Sequence, residues 1–433
     1  CGVEQVAGTD HEEFGGVTLM HWITGKLSGL VEINPPIKLV KGKEYPFVSM
    51  DVINPGKKIV EAKEYRNFSG GGSRFQNNDT LFARITPCLE NGKISQVRHL
   101  DGEVGFGSTE FLVFRGKQGI TDTEFVYYFV TNHSFRLKAI QLMVGTSGRQ
   151  RVDHKKLSDE VFTIPPLPIQ RKIAEILGSL DDKIELNRRM NETLEQMAMA
   201  LYKHWFVDFG PFQDEEFVES EIGNIPTCLG LTTIGKAVKV IGGGTPSTKV
   251  GEYWENGEIN WFTPTDLTSS KTLFITKSTK RITENGLNES SAKLFPAYSV
   301  MMTSRATIGV IAINREPAST NQGFIVLIPN EKFPTFYLYL WLKNNLGSIH
   351  SISNGSTFLE VNRSNFKELP IIESDKVLEF NKLVEPIFSQ IEALTIESET
   401  LTQTRDFLLP RLLSGEIEVR EAEEQVEEVL ANA

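Results

Sequence analysis

FNKLVEPIFSQIEALTIESETLTQTRDFLLPRL, residues 380–412, is the stretch whose reading decides the fold. Phe380, Val384, Ile387, Ile391, Leu394, Ser398, Leu401, Arg405, Leu408 and Leu412 step alternately by four and three. That spacing is the a/d seam of a heptad repeat. IAEILGSLDDKIELNRRMNETLEQMAMALYKHW, residues 173–205, carries the same seam 207 residues earlier. Its positions are Ile173, Leu177, Leu180, Ile184, Asn187, Asn191, Leu194, Ala198, Leu201 and Trp205. Each seam needs a partner helix to cover it. Two matching seams in one chain favour an intramolecular antiparallel coiled coil over pairing with outside chains. About 38 residues at ~1.5 Å each make a rod of roughly 57 Å. It is expected to hold one mixed domain at each end, in a pseudo-two-fold arrangement. Asn187 and Asn191 on the seam are expected to fix register at some cost in stability. Pro410 is expected to end or bend the second helix.

Outward from the helices, the chain repeats itself. Gly145-Thr146-Ser147 with Val152 and Leu157 matches Gly355-Ser356-Thr357 with Val361 and Phe366, and Ser108-Thr109-Glu110-Phe111 has a looser echo in Thr320-Asn321-Gln322-Gly323-Phe324. The fold class is therefore mixed, α+β: two globular domains separated by two long helices. The expected division is 1–165 (with 1–16 lacking fixed structure), a helical spacer and linker at 166–220, a second domain at 221–372, a second spacer at 373–415 and an acidic tail at 416–433. Short strands are expected at Tyr45–Met50, Thr80–Ile85, Lys93–Val97 and Glu110–Phe114, and a helix over Asp122–Ala139. In the second domain, strands are expected at Lys236–Ile241, Ile259–Phe262, Ser299–Thr303, Gly309–Ile313 and Phe324–Pro329, and a helix at Thr335–Asn345.

The 433 residues carry a net charge of −11, which at first argues against nucleic acid. Its distribution does not. Residues 1–165 and 221–372 sum to +1 and +3, whereas 166–220 and 373–433 sum to −5 and −10. The acid sits on the helices and tail, and local patches set the field a phosphate backbone meets. Three scattered cysteines (Cys1, Cys88, Cys228) form neither a disulfide framework nor a metal spacing, which fits a reducing cytoplasm. No apolar run reaches the roughly 20 residues a membrane span needs. The seven histidines show no metal-ligand spacing.

A catalytic reading has little to stand on. Asn34-Pro35-Pro36-Ile37 resembles the Asn-Pro-Pro-aromatic loop of amino-methyltransferases, and Phe68-Ser69-Gly70-Gly71-Gly72 resembles their S-adenosylmethionine loop. Ile37 replaces the stacking aromatic, and about 30 residues between the motifs are too few for a doubly wound cofactor domain. Gly242-Gly243-Gly244-Thr245-Pro246-Ser247-Thr248-Lys249 lacks the Gly-Lys-Ser/Thr ending of a P-loop, although its amides could hold a phosphate oxygen.

The polar loops suit recognition better. Thr146, Ser147, Arg149, Gln150 and Arg151 fall within six residues. Arg bonds bidentately to guanine O6/N7 and Gln to adenine N6/N7, while hydroxyls and amides suit phosphates. The counterpart loop keeps Ser356 and Thr357 and drops the arginines, so two copies would read different bases. Arg84 and Arg305 lie at strand ends that pair across the repeat. The remaining candidate DNA contacts are Thr86, Asn91, Lys93, Ser108 and Thr109 in the first domain, and Thr245, Ser247, Thr263, Thr265, Thr307, Asn321 and Gln322 in the second.

These residues sit in longer motifs. Ile164-Pro165-Pro166-Leu167-Pro168-Ile169-Gln170-Arg171-Lys172-Ile173-Ala174, Leu180-Asp181-Asp182-Lys183-Ile184 and Ala200-Leu201-Tyr202-Lys203-His204-Trp205-Phe206 mark the first helix, and Leu408-Leu409-Pro410-Arg411-Leu412-Leu413-Ser414-Gly415 the second. Gly244-Thr245-Pro246-Ser247 and Trp261-Phe262-Thr263-Pro264-Thr265-Asp266-Leu267 open the second mixed region. Together, from about residue 25 to 420, the chain resembles the specificity (S) subunit of type I restriction–modification enzymes. The resemblance implies a non-catalytic subunit with two target-recognition domains, each reading half of a bipartite DNA sequence. It also implies that the helices space these domains and dock two modification subunits, with restriction subunits added. S-adenosylmethionine, ATP and Mg would then belong to the partner subunits, with none in this chain. The alternatives are a stand-alone adenine methyltransferase and a coiled-coil scaffold that does not touch DNA.

Overall fold

The structure, a computed structural model, describes residues 22–146, 148–354 and 359–431. The chain forms two compact units, one containing residues up to Ile184 together with those from Glu399 onward, the other Glu185–Ser398. The long helices Leu167–Phe206 and Lys376–Ser414 each contribute to both units.

The first unit is built on a five-stranded sheet in the order Val31–Ile33, Phe111–Gly116, Thr80–Ala83, Ile94–Val97, Ile59–Val60, with only the last pairing parallel. Side chains alternate across a strand with period two. Phe82 and Phe114 therefore face the helices, while Leu81, Phe111 and Val113 pack on the other side with Val48 and Phe75. A smaller sheet orders Glu64–Asn67, Glu44–Val48, Val104–Gly107 and Ser73–Gln76. The second unit repeats this plan. Lys239–Gly242, Phe324–Ile328, Val300–Thr303, Ile311–Asn314 and Phe274–Ile275 follow the same order, again with only the last pair parallel. Its smaller sheet has three strands, Lys280–Ile282, Ile259–Phe262 and Ala318–Thr320.

The expected strands fall where the sequence places them, to within one or two residues at most ends. Three expectations need correction. The helix expected over Asp122–Ala139 is two, Thr123–Thr131 and His133–Gln141, because Asn132 leaves the helix with φ −55° and ψ 139°. The Thr131 hydroxyl satisfies the carbonyls of Tyr127 and Tyr128 at 2.8 and 3.2 Å. The break turns Phe135 into a ring cluster with Phe82, Phe114, Phe129 and Phe162. Lys236, expected to open a strand, instead lies in the short helix Ile234–Ala237 that precedes Lys239–Gly242. Of the two outcomes expected at Pro410, an end is not what is found, since the second helix runs on to Ser414. An interior proline costs about 3 kcal/mol. Leu408 and Leu412 on either side are fully buried, and each gains about 1.5–3 kcal/mol by burial, enough to offset it.

In the first unit the seam is as read: Ile173, Leu177 and Leu180 bury against Leu401, Leu408 and Leu412, with Ile184 half-buried beside them. In the second unit Phe380, Val384, Ile391 and Leu394 are buried, but Leu194, Leu201 and Ile387 are only half-buried. The central positions there are Ala198, Tyr202, Phe206 and Phe388. The helices pack not only on each other but on the helix Thr335–Asn344: Phe388 stacks on Phe336 with centroids 4.3 Å apart, and Tyr202 meets Tyr337. A helix covered from two sides buries a wider stripe than a two-stranded seam. Asn187 Nδ2 bonds Ser398 Oγ at 3.3 Å and Asn191 Nδ2 bonds Thr395 Oγ1 at 3.4 Å, so one index falls as the other rises and the pair is antiparallel. The Oδ1 atoms of both asparagines are buried without a hydrogen-bond partner among the described residues. An unpaired buried acceptor costs about 1–3 kcal/mol. The two cross-helix bonds set Asn187 opposite Ser398 and Asn191 opposite Thr395 in the present register.

Residues 416–433, acidic as read, contain the helix Val419–Ala431, which buries Ala422 and Val426 in the first unit's core. Among the described residues no helix is long and apolar enough to cross a membrane.

Candidate nucleic-acid interface

Both units place a cleft at the same end of the central sheet. In the first, the strand Thr80–Ala83 runs into Arg84, whose N–H donates to the Glu110 carbonyl at 2.9 Å and whose carbonyl accepts from Val152 N at 2.8 Å. In the second, Ser304 N donates to the Gly323 carbonyl at 2.8 Å and its carbonyl accepts from Val361 N at 2.9 Å. Arg84 is thus equivalent to Ser304, Ile85 to Arg305, Glu110 to Gly323 and Arg151 to Glu360. The isolated bridges Ile85–Arg151 and Arg305–Glu360 confirm the register. The expectation that Arg84 and Arg305 pair across the repeat is therefore off by one residue. In extended chain that step sends the side chain to the opposite face.

The first cleft, about 340 Å³, is lined by Asn34–Ile37, Gly72–Arg74, Arg84 and Thr109, with Phe111 at its floor. The two segments that resemble methyltransferase motifs meet here, with the Arg74 guanidinium donating to the Ile37 carbonyl at 3.0 Å. They do so beside an antiparallel-dominated sheet, not at the switch point of a doubly wound one. The second cleft, about 440 Å³, is lined by Ser304, Gln322, Asn354, Glu360 and Arg363 over Phe324. Asn34 pairs with Val113, and Ile241 with Val326, at equivalent ladder positions. The Asn-Pro-Pro segment thus occupies the place of the triple-glycine loop. That loop needs its last two glycines: a Cβ on Gly243 would lie 2.1 Å from the Thr320 and Asn321 carbonyls, and one on Gly244 2.4 Å from the Ser291 carbonyl oxygen.

Charge is arranged differently at the strand ends beside the two clefts. Arg151 chelates Glu110, with Nη2 to Oε1 at 2.7 Å and Nε to Oε2 at 2.9 Å, and Arg84 Nε approaches the same carboxylate at 3.4 Å. The Arg151 hydrogen bonds hold the Glu110 carboxyl below its usual value against the opposing effect of burial, and the Arg84 charge helps. Two arginines around one carboxylate leave this strand end net positive, and of the three groups Arg84 lines the cleft. In the second unit Gly323 supplies no carboxylate, and Glu360 stands where Arg151 would be, 3.9 Å from Arg305 Nε.

The other expected contacts scatter around these clefts. Thr86 is stitched to Gln150 through backbone and hydroxyl bonds at 3.0 Å. Thr146 and Arg149 are exposed on the hairpin that carries Arg151, and Thr109 on the cleft rim. Asn91 is exposed, Lys93 donates to the Met50 carbonyl at 2.8 Å, and the Ser108 hydroxyl accepts from Glu110 N at 3.2 Å. In the second unit Thr245 donates to the Gln322 side-chain oxygen at 2.7 Å, and the Asn321 side-chain oxygen accepts from Gly323 N at 2.9 Å. Ser247, Thr265, Arg305 and Thr307 are exposed. Thr263 serves the fold, capping the helix Pro264–Ser270 reciprocally with Asp266. Burial would raise the Asp266 carboxyl, but hydrogen bonds from Thr279 and Thr263 bring it below its usual value. Ser147, Ser356 and Thr357 lie outside the described residues. Sequence reasoning passed over Arg74, Glu360 and Arg363, and did not take Asn34 or Asn354 as DNA contacts. Glu360 was within reach, since it immediately precedes the Val361 that matches Val152.

Comparison with known proteins agrees with this duplicated plan. The sequence model of the family described as type I restriction modification DNA specificity domain matches twice, over residues 21–196 and 232–401. The chain is 28% identical over 406 residues to the type I restriction enzyme HindI specificity subunit of Haemophilus influenzae, covering 79% of this chain and 87% of that one. It is 41% identical over 160 residues to the MjaIX specificity subunit of Methanocaldococcus jannaschii, covering 36% and 37% respectively. Among solved structures, the S subunit of a type I restriction–modification system from M. genitalium aligns over 92% of this chain and 98% of that one, at 15% identity and a TM-score of 0.47. With two specificity domains spanning most of its length, the chain belongs to the family of type I restriction–modification specificity subunits.

Proposed function

We propose that this chain reads a bipartite DNA target, one half-site per unit, and that its long helices dock modification and restriction subunits. The observation that carries this is the pair of equivalent clefts with unlike chemistry. One backbone ladder position bears Arg151 in the first unit and Glu360 in the second. Equivalent clefts with unlike side chains read unlike bases, whereas a purely structural duplication would have no use for the difference.

The docking half rests on an exposed apolar stripe in the second unit. Leu186, Met190 and Met197 on the first long helix are all exposed, and their spacing of four and seven puts them on one face. Such a stripe suits a protein partner better than water. S-adenosylmethionine, ATP and Mg are assigned to the partner subunits, and no residue of this chain is given a catalytic role.

The test is one-sided loss of recognition. Arg149→Ala and Arg151→Ala, each in complex with the modification subunit, should relax or abolish reading of one half-site and leave the other intact. A base contact is worth about 1–3 kcal/mol, so discrimination at the affected base pair should fall about tenfold or more. Equal weakening on every sequence would mark a phosphate contact instead. Loss of both half-sites would contradict independent reading.

A further inference from the structure

We infer that Glu360 is a specificity-determining residue of the second unit, and that it accepts a hydrogen bond from an exocyclic amino group, cytosine N4 or adenine N6. This deepens the proposed function and rests on it.

The inference begins with placement. Glu360 lines the second cleft beside Asn354 and Gln322, at the ladder position that holds Arg151 in the first unit. A carboxylate there is unfavourable next to a polyanion unless something donates to it. In the first unit, Glu110 is answered by Arg151 and Arg84. Among the described residues, the ion pair Glu360 makes is a distant one, Arg305 Nε at 3.9 Å, although Arg363 lines the same cleft, and both side chains of the pair are about half exposed, at 50% and 56%. An exposed pair of that geometry does little for the fold. The strand register there is held by backbone bonds, Val361 N to Ser304 O at 2.9 Å and Ala306 N to Leu359 O at 3.0 Å, which do not need the carboxylate.

The chemistry of the groove narrows what can answer it. On base edges in the major groove only cytosine N4 and adenine N6 are donors; N7, guanine O6 and thymine O4 are acceptors that would repel a carboxylate. An acidic side chain in a reading cleft therefore accepts an amino group and at the same time rejects its keto counterpart. The neighbouring Gln322 has its side-chain oxygen turned to Thr245, which directs its amide NH₂ elsewhere.

The experiment uses the full chain in complex with its modification subunit. Glu360→Ala should leave thermal stability unchanged and make one base pair of one half-site degenerate, with discrimination there falling about tenfold or more. At that base pair, duplexes are then made with purine in place of adenine, or 2-pyrimidinone in place of cytosine, which removes the amino group alone. The wild-type complex should bind these analogues about tenfold more weakly than the natural base, and the Glu360→Ala complex equally well. The inference is overturned by uniformly tighter binding of Glu360→Ala to every sequence, which marks simple phosphate repulsion. It is also overturned by an unchanged target, or by a relaxed position that ignores the amino group. If the wild-type complex itself has no split target, the broader functional reading fails, and that outcome is recognisable before any variant is made.

Discussion

Replacing Arg405 by Met should strongly destabilise the first unit. Arg405 Nη1 lies 2.7 Å from Asp181 Oδ1, with side chains only 11% and 5% exposed. The other Asp181 oxygen accepts from the Tyr128 hydroxyl at 2.7 Å, and Lys58 donates to Tyr128 at 3.1 Å. Burial pulls the basicity of Arg405 down, but the charges of Asp181 and Asp406 more than restore it. Without Arg405, Asp181 is left as a buried carboxylate with one neutral side-chain donor among the described residues, the Tyr128 hydroxyl. Breaking a buried pair from one side costs about 3–5 kcal/mol. At about 2–4 °C per kcal/mol for a unit of this size, the melting temperature should drop by roughly 10 °C. Asp181→Leu with Arg405→Met removes both charges and should recover most of the loss, since apolar replacements of buried pairs are often neutral or better. Urea and thermal unfolding followed by circular dichroism, on the two single variants and the double, complete the cycle. A cost below about 1 kcal/mol for Arg405→Met would refute the reasoning, as would a double variant that loses the sum of the singles.

Two further expectations probe the packing and the charge. Phe388→Ala should cost about 3–5 kcal/mol in chemical denaturation, whereas Ile387→Ala, half-buried, should cost less than half as much; the reverse order would restore the strict heptad seam. The Glu110 carboxyl is depressed on folding, so its contribution is complete above the ordinary carboxylate range and is lost as pH falls through the depressed value. Arg151→Met should raise the Glu110 value in a carbon-13 carboxyl titration, and no movement would mean the Arg151 chelate is not its cause.

The parts that were legible in the sequence are those with local periodicity. The two helices announce themselves by a seven-residue step, and the strand Ile259–Phe262 by its β-branched and aromatic residues between turn residues. What a heptad cannot contain is a third partner. Phe388 displaces Ile387 because a domain helix, distant in sequence, presses Phe336 against it. Val104–Gly107 went unread because its partners, Glu44–Val48 in parallel and Ser73–Gln76 in antiparallel, lie far along the chain, and glycine alternates with its apolar residues. The break at Asn132 is decided by where Phe135 must go, not by helix propensity. In the site, residue types at the loops were readable but their facing was not. Arg84 and Arg305 look alike in sequence and differ by one step of the ladder, which only the hydrogen bonds reveal. Thr263, a candidate DNA contact by residue type, takes part in a helix capping box that only the fold reveals.

Methylation mapping is the most direct measurement of the central claim. The chain is expressed with its modification subunit in cells lacking other modification systems, and modified adenines are located by single-molecule sequencing. Independent reading by two unlike clefts predicts one target made of two specified blocks around an unspecified spacer, with methylated adenine in both blocks. A single contiguous target, or methylation without sequence preference, would contradict it.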